Sequence, residues 1–200
     1  YQQCMFDQAE ALIASSDTFY RQDFTFNGTT YAIYNYRLAS YTEFERPGGR
    51  EMRGHMFAIN EDGTMHSLAS LPMSKFHNLN ECPLTMNLDL NLVDSIELKA
   101  DGSLMSTFIN NDQLYFKSKG SLNSEQAVDS NTWIRRPENA EYYQALYGLT
   151  SLGYTANLEW CAPHNRIVIG YQTAHLKLLN VRSRIDGTYI PRVKLESMFG

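Results

Sequence analysis

Leu104-Met105-Ser106-Thr107-Phe108-Ile109-Asn110-Asn111-Asp112-Gln113-Leu114-Tyr115-Phe116-Lys117-Ser118 reads as a β-hairpin. Two strand-like runs flank Asn110-Asn111-Asp112, residue types suited to a tight connection. Upstream, Ser95–Lys99 has strand character, with Ile96 and Leu98 on one face and Glu97 and Lys99 on the other. Downstream, Ser124–Ser130 predicts a short helix. A second helix has Pro137 at its start, Glu138 and Glu141 in its first turns and Gly153 past its end. Tyr154–Cys161, Arg166–Tyr171 and His175–Arg182 then read as antiparallel strands, followed by an Asp186-Gly187 turn.

The first half of the chain fits the same pattern. Met5, Ala9, Leu12 and Ile13 form one helical stripe suited to covering a sheet. Asn27-Gly28 introduces a strand at Thr29–Tyr36, and Pro47-Gly48-Gly49 is a turn. Met52–Asn60 is a further strand, Leu68–Phe76 is broken by Pro72, and Asn78–Asn91 is loop-like. Strands dominate, two or three helices are expected, and no regular βαβ alternation exists. The expected fold class is α+β, with mainly antiparallel sheets flanked by helices. No repeat or linker divides the chain, so residues 1–200 are expected to form one domain.

The composition narrows the function. An apolar fraction of 43% and a charged fraction of 20% are ordinary globular values, which excludes disordered and collagen-like classes. No apolar run of about 18 residues is present, so no membrane span is expected. The first twenty residues lack a basic start and a continuous apolar core, so they are not a signal peptide. The missing initiator Met implies processing or trimming. Cys4, Cys82 and Cys161 are odd in number and widely spaced, suggesting a reducing cytoplasm. A net charge of −5 argues against bulk electrostatic nucleic-acid binding. Four of the six lysines nevertheless fall between residues 75 and 119, as a local anion site would require.

Lys99-Ala100-Asp101-Gly102-Ser103 is the main chemical signal. A lysine ending a strand, then an acid and a glycine, presents an amine nucleophile; an exposed lysine before an ordinary Asp-Gly turn is the plainer reading. In Phe116-Lys117-Ser118-Lys119-Gly120-Ser121, Lys117 and Lys119 project to one side of a strand, as a phosphate site or a solvated face. Thr155-Ala156-Asn157-Leu158-Glu159 puts Glu159 on a polar face, where it accepts from a ribose hydroxyl, holds Mg²⁺ through water, or pairs with an arginine. Glu51-Met52-Arg53-Gly54 offers a guanidinium fork beside a glycine that leaves room for a bulky ligand. In Ser74-Lys75-Phe76-His77-Asn78 a cation sits beside two rings, and Phe76 either stacks on a base or packs in the core. The five histidines show no metal-ligand spacing, and neither a nucleophile-elbow nor a P-loop motif occurs.

In this order, these segments resemble the RNA ligase 1 family of T-even-like bacteriophages. The similarity runs from about Tyr31 to Arg182, supported by Phe76-His77-Asn78-Leu79-Asn80-Glu81 and Leu179-Asn180-Val181-Arg182. The resemblance implies a nucleotidyltransferase fold (ATP-grasp-like covalent ligase) and an ATP-dependent RNA ligase working through lysyl-AMP and adenylylated RNA. It implies Lys99 as the nucleophile. Tyr36, Arg53 and Lys75 would lie on the triphosphate, Gly102 close to the nucleotide, and Lys119 and Glu159 at the nucleoside. Phe76, His77, Asp101 and Lys117 are further candidates. ATP and Mg²⁺ are the implied cofactors. RNA is the implied partner, above all tRNA broken in its anticodon loop, in the cytoplasm of an infected bacterial host. DNA ligases, GTP-using capping enzymes and non-catalytic nucleotide- or RNA-binding modules share parts of the pattern. The family usually has an aromatic where His77 stands and an arginine where Leu71 stands. Its later Glu-Gly and Lys-x-Lys strands and C-terminal domain do not occur before Gly200. Residues 1–200 are therefore expected to be an adenylyltransferase domain incomplete at its C-terminal end, self-adenylating poorly.

Overall fold

In a computed structural model that describes residues 1–199, the helical stripe at the start of the chain becomes α1, Gln2–Ser15. It buries Met5, Phe6, Ala9 and Leu12 against Phe19, Tyr34 and Phe57. Each such side chain removed from water contributes roughly 1.5–3 kcal/mol. The Tyr34 hydroxyl donates to Glu10, and Arg21 pairs with the same carboxylate at 2.7 Å, which fixes the helix over the sheet.

That sheet contains β1 (Phe19–Phe26), β2 (Thr29–Tyr36), β3 (Met56–Ile59) and β4 (Met65–Ser70), in the order β1-β2-β3-β4. Its pairings are antiparallel. Strand β1 was not expected, because Arg21-Gln22-Asp23 interrupts its apolar content. It forms because Asn27 (φ 47°) and Gly28 (φ 83°) make a two-residue turn that registers it along all of β2. After β2 the chain makes the short helix α2, Tyr41–Phe44. The expected strand Met52–Asn60 is reduced to β3. Gly49–Glu51 is a 3₁₀ turn and Gly54, at φ 95°, bends the chain before pairing begins. Strand β4 ends at Ser70, ahead of Pro72.

The second sheet contains β5 (Ser103–Asn110), β6 (Gln113–Ser118), β7 (Tyr154–Cys161) and β8 (His175–Ser183), in the order β6-β5-β7-β8 and also antiparallel. The hairpin 104–118 forms, but Asn110 joins the ladder opposite Gln113 and the turn shortens to Asn111-Asp112, both at positive φ. Helices α3 (Glu125–Ile134) and α4 (Ala140–Ser151) cover one face, packing Ile134, Leu146 and Leu149 on Met105, Phe116 and Trp160. Ser124 caps α3 by accepting the Ala127 N–H at 3.3 Å. Helix α5, Arg192–Phe199, rests on β8 through Leu195.

The other face meets the first sheet. Tyr31, Ile33 and Met56 pack against Phe108, and Ser70 Oγ donates to the Thr107 carbonyl at 2.9 Å. The fold is α+β with two antiparallel sheets, as expected, although it has five α-helices among the described residues rather than two or three. Two expected strands do not form. Residues 95–99 are irregular, with Ile96 and Leu98 facing solvent, because no neighbouring strand receives them. Residues 166–171 are irregular because the backbone N–H groups of Val168 and Ile169 turn to Asp101 instead of a ladder.

Candidate active site

The register decides which side chains enter the space between the sheets. Ser106 is opposite both Lys117 and Asn157, and Leu104 is opposite Glu159. Since Phe108 on this face packs against the first sheet, Lys117 and Glu159 face it too. The opposing wall comes from the end of β2 and the bend before β3, which supply Asn35, Tyr36 and Arg53-Gly54.

Two backbones meet there. A methyl group at Gly54 would collide with the Lys119 carbonyl oxygen. Asn35 Nδ2 donates to that oxygen at 3.0 Å, and Lys117 Nζ donates to the Gly54 carbonyl at 2.6 Å. The room at Gly54, expected to admit a ligand, is filled by Lys119. Lys117 is fully buried and also donates to the Ser118 carbonyl at 2.9 Å. Burial lowers its ammonium to about 7. The expected side-by-side pair of lysines is therefore corrected: Lys117 is an internal tie between the sheets. Lys119 lies past the end of β6, with its Nζ 4.2 Å from the Tyr36 ring centroid. Close by, burial pushes the neutral imidazole of His55 down to about 3, with Lys117 and Arg182 adding to the effect.

Cations gather around Tyr36. Lys75 Nζ is 5.8 Å from its ring centroid, while Arg53 donates to the Met73 carbonyl at 3.5 Å. Burial works to raise the Tyr36 phenol, but Lys119, Lys75 and Arg53 outweigh it and hold it below its ordinary value. Phe76 is not a core residue: it is 59% exposed, with the Arg53 guanidinium 5.0 Å from its centroid. Arg53 does not open a strand but sits in the bend, and its loop is anchored by Glu51. That carboxylate meets buried Arg182 at 2.6 and 2.7 Å, and Arg182 also donates to the Pro72 carbonyl at 2.9 Å. One guanidinium thereby joins the segment carrying Arg53 to the segment carrying Lys75. In the sequence, Arg182 stands out only as the end of the similar stretch Leu179-Asn180-Val181-Arg182.

At the other side of the cleft, Gly102 N–H donates to Glu159 Oε1 at 3.1 Å. A side chain at Gly102 would strike the Trp160 carbonyl, so close packing of β5 on β7 is what requires this glycine. Burial raises the Glu159 carboxyl, opposed by the Gly102 N–H, Lys99 and Arg53. No arginine among the described residues forms an ion pair with it. Lys99 is exposed on the irregular segment before β5. Asp101 accepts from Ile169 N at 2.5 Å and Val168 N at 2.6 Å, and its own N–H donates to the Tyr171 hydroxyl at 3.0 Å. Those backbone donors, with Lys99, hold its carboxyl below its usual value.

The arrangement brings Tyr36, Arg53, Lys75 and Lys119 together on one side and Lys99, Asp101, Gly102 and Glu159 on the other. His77 lies beyond Lys75, against Phe44. No group of three or more His, Cys, Asp or Glu side chains among the described residues could hold a metal ion by itself. The donor set nevertheless suits Mg²⁺, a hard cation held by one or two carboxylates together with substrate phosphates. Glu159 commits one oxygen to Gly102, and its raised carboxyl is one that a neighbouring cation would ionise.

No helix among the described residues is long and apolar enough to cross a membrane. A family model described as RNA ligase matches residues 51–196. "RNA ligase 1" of Bacteriophage TS2126 is 29% identical over 178 residues, covering 82% of this chain and 42% of that protein. A "Putative RNA ligase" of Thermovibrio ammonificans is 27% identical over 157 residues, covering 78% of this chain and 40% of its own length. The chain spans about two fifths of the length of these curated relatives. With the family model covering most of its length, the chain belongs to the RNA ligase family.

Proposed function

We propose that residues 1–200 form an adenylyltransferase domain of an ATP-dependent RNA ligase, in which Lys99 carries AMP during the joining of RNA 5′-phosphate and 3′-hydroxyl ends. The observation that carries this reading is the cluster of Lys75 and Lys119 on the Tyr36 ring, with Arg53 over Phe76, together with the Glu159 carboxylate that accepts the Gly102 N–H three residues after Lys99. Phosphoryl transfer needs mostly positioning and charge stabilisation, and such a cleft supplies both.

Lys99 attacks the α-phosphorus of ATP. The Nζ–P bond forms, the bond to the β-phosphate oxygen breaks, pyrophosphate leaves and Nζ gives up a proton. Arg53, Lys75 and the Tyr36 hydroxyl hold the leaving phosphates. Lys119 and Glu159 line the nucleoside, with the free Glu159 oxygen accepting from a ribose hydroxyl. Gly102 keeps Glu159 in place through its N–H, and Asp101 ties down the loop behind it. Phe76 offers an exposed ring for stacking, backed by Arg53. Lys117 acts from inside the wall. Glu159, through water, would be the residue that holds Mg²⁺ beside the phosphates, where the ion would neutralise phosphate charge. An RNA 5′-phosphate then takes AMP from Lys99, and a 3′-hydroxyl displaces AMP from that phosphate. We place the reaction in tRNA repair in the cytoplasm of a phage-infected bacterium.

The test uses the longest polypeptide containing this chain, with α-labelled ATP and Mg²⁺. A protein–AMP bond that is acid-labile and alkali-stable, and absent from Lys99→Ala, is expected. No label, or label surviving that substitution, overturns the assignment.

A further inference from the structure

At the far end of the sheets from the cleft lies a polar cavity of about 410 Å³, within the roughly 300–1,000 Å³ of small-ligand sites. Asn110, in its lining, ends β5, eight residues and about 26 Å of extended chain from Gly102. The cavity is therefore separate from the nucleotide cleft.

Its buried cation is Arg184, just past the end of β8. Three of the five guanidinium N–H groups are used near the end of α4. Nη1 donates to the Tyr154 carbonyl and to Thr155 Oγ1 at 3.2 Å, and Nη2 to the Thr150 carbonyl at 2.7 Å. A cation at a helix C-terminus is favourable, which accounts for these contacts. Nε–H and one Nη2–H are left without a partner among the described residues. Nε is not sealed in, as the unpaired atoms of Asn35, His55 and Trp160 are; it keeps accessible surface on a residue that lines the cavity. Among the described residues no ion pair reaches Arg184, and burial lowers its guanidinium to about 10 with no carboxylate opposing. Asp186, two residues on, is turned to Thr188, and no Asp or Glu lines the cavity.

The other polar groups in the lining carry no fixed charge. Ser67 is opposite Ala58, which clusters with Tyr31 and Phe108 between the sheets, so Ser67 faces the same space. Thr29 and Asn111 add a hydroxyl and an amide. A half-used guanidinium without a counter-ion, beside neutral hydrogen-bonding groups, matches a phosphate with a sugar attached.

We propose that this cavity is a second nucleotide-phosphate site, in which the unpaired donors of Arg184 take one phosphate of an RNA strand and Ser67 faces the attached sugar. The inference rests on the reading of RNA as the substrate. It adds a contact with the strand far from the residues that handle ATP.

Binding of a labelled 5′-hydroxyl oligoribonucleotide is measured by fluorescence anisotropy over a range of salt, in the longest polypeptide containing this chain and carrying Lys99→Ala. Two further substitutions are compared. Arg184→Gln removes the charge but also loosens the end of α4. Ser67→Glu sets a carboxylate in the cavity and leaves the Arg184 contacts to α4 in place, so it decides the matter if Arg184→Gln fails to fold. Each should weaken the oligoribonucleotide about tenfold or more, because a charge-assisted bond to phosphate is lost. Arg184→Gln should also reduce the slope of log K against log salt by about 0.7, the effect of one phosphate contact on a single strand. A purely structural Arg184 would lower Tm and leave that slope unchanged. AMP, titrated calorimetrically, separates the sources: a loss confined to the oligoribonucleotide assigns the phosphate to a strand, and a loss confined to AMP assigns it to a free nucleotide. If neither probe binds the parent, or if Ser67→Glu binds both as its parent does, the proposal is overturned. With Lys99 restored, both variants should still form the protein–AMP bond. Binding is read without AMP transfer, so failure here is distinct from failure of the Lys99 label.

Discussion

Replacing Gly54 by alanine tests how the two sheets meet at the cleft. The substitution forces a Cβ onto a backbone at φ 95°, which costs an L-residue about 1–2 kcal/mol. It also drives that Cβ into the Lys119 carbonyl, and an overpacked contact that neither backbone can relieve adds roughly 1–3 kcal/mol. The sum is about 2–5 kcal/mol. For a chain of this size each kcal/mol lowers Tm by about 2–4 °C, so a fall on the order of 10 °C is expected. Gly63 is the control: it has φ 84°, but nothing lies within 4 Å of the position its methyl group would take, so Gly63→Ala carries only the backbone cost. The difference between the two variants, read by scanning calorimetry, isolates the collision. Relief of the collision moves Lys119 off Tyr36, so ATP affinity should fall in Gly54→Ala and not in Gly63→Ala. Equal melting temperatures and equal ATP affinities in the two variants would refute the clamped geometry.

Three further outcomes rest on single contacts. Glu51→Gln removes the carboxylate from Arg182, whose side chain is 5% exposed; stranding that charge should cost about 3–5 kcal/mol, read by urea denaturation. The Lys117 ammonium is lowered from 10.5 to about 7, so between these values the unfolded chain binds a proton that the folded chain has released. Stability should therefore rise with pH from about 7 towards 10, and this slope should vanish in Lys117→Met. Asp101→Asn weakens the hold on Val168 and Ile169, so hydrogen exchange of residues 166–171 should quicken. Because the Asp101 carboxyl is held below its usual value, the native hold is present above pH 3.8 and is lost as pH falls through the lowered value.

What could be read from sequence was whatever a short window contains. The hairpin 104–118 has its turn residues between its strands, and α4 has Pro137 before it and Gly153 after it, so each was legible. Strand β1 was not, because its partner β2 and not its own composition makes it a strand. The reverse error came at Ser95–Lys99 and Arg166–Tyr171, where apolar alternation has no receiving strand. At the site, the residue types at Lys99, Gly102 and Glu159 were legible as a motif. The burial of Lys117 and the bridging by Arg182 were not. Both depend on carbonyls far along the chain, Gly54 for one and Pro72 for the other.

The position of Lys99 raises a mechanical question, since the residues before it form no strand. Its placement must come from residues 100–103. Gly102 lacks a side chain, so β5 can begin against the Trp160 carbonyl, and its N–H is thereby brought onto Glu159. Asp101 is held at the same time, its carboxylate on the backbone of Val168 and Ile169 and its N–H on Tyr171. With positions 101 and 102 fixed to β7 and to the loop after it, only Ala100 separates Lys99 from a rigid anchor. Three residues cannot extend much beyond about 10 Å, so the Lys99 backbone stays within that reach of Gly102 although its own segment is irregular. The acid and the glycine that follow Lys99 thus hold it from its C-terminal side, leaving its N-terminal side free of any strand.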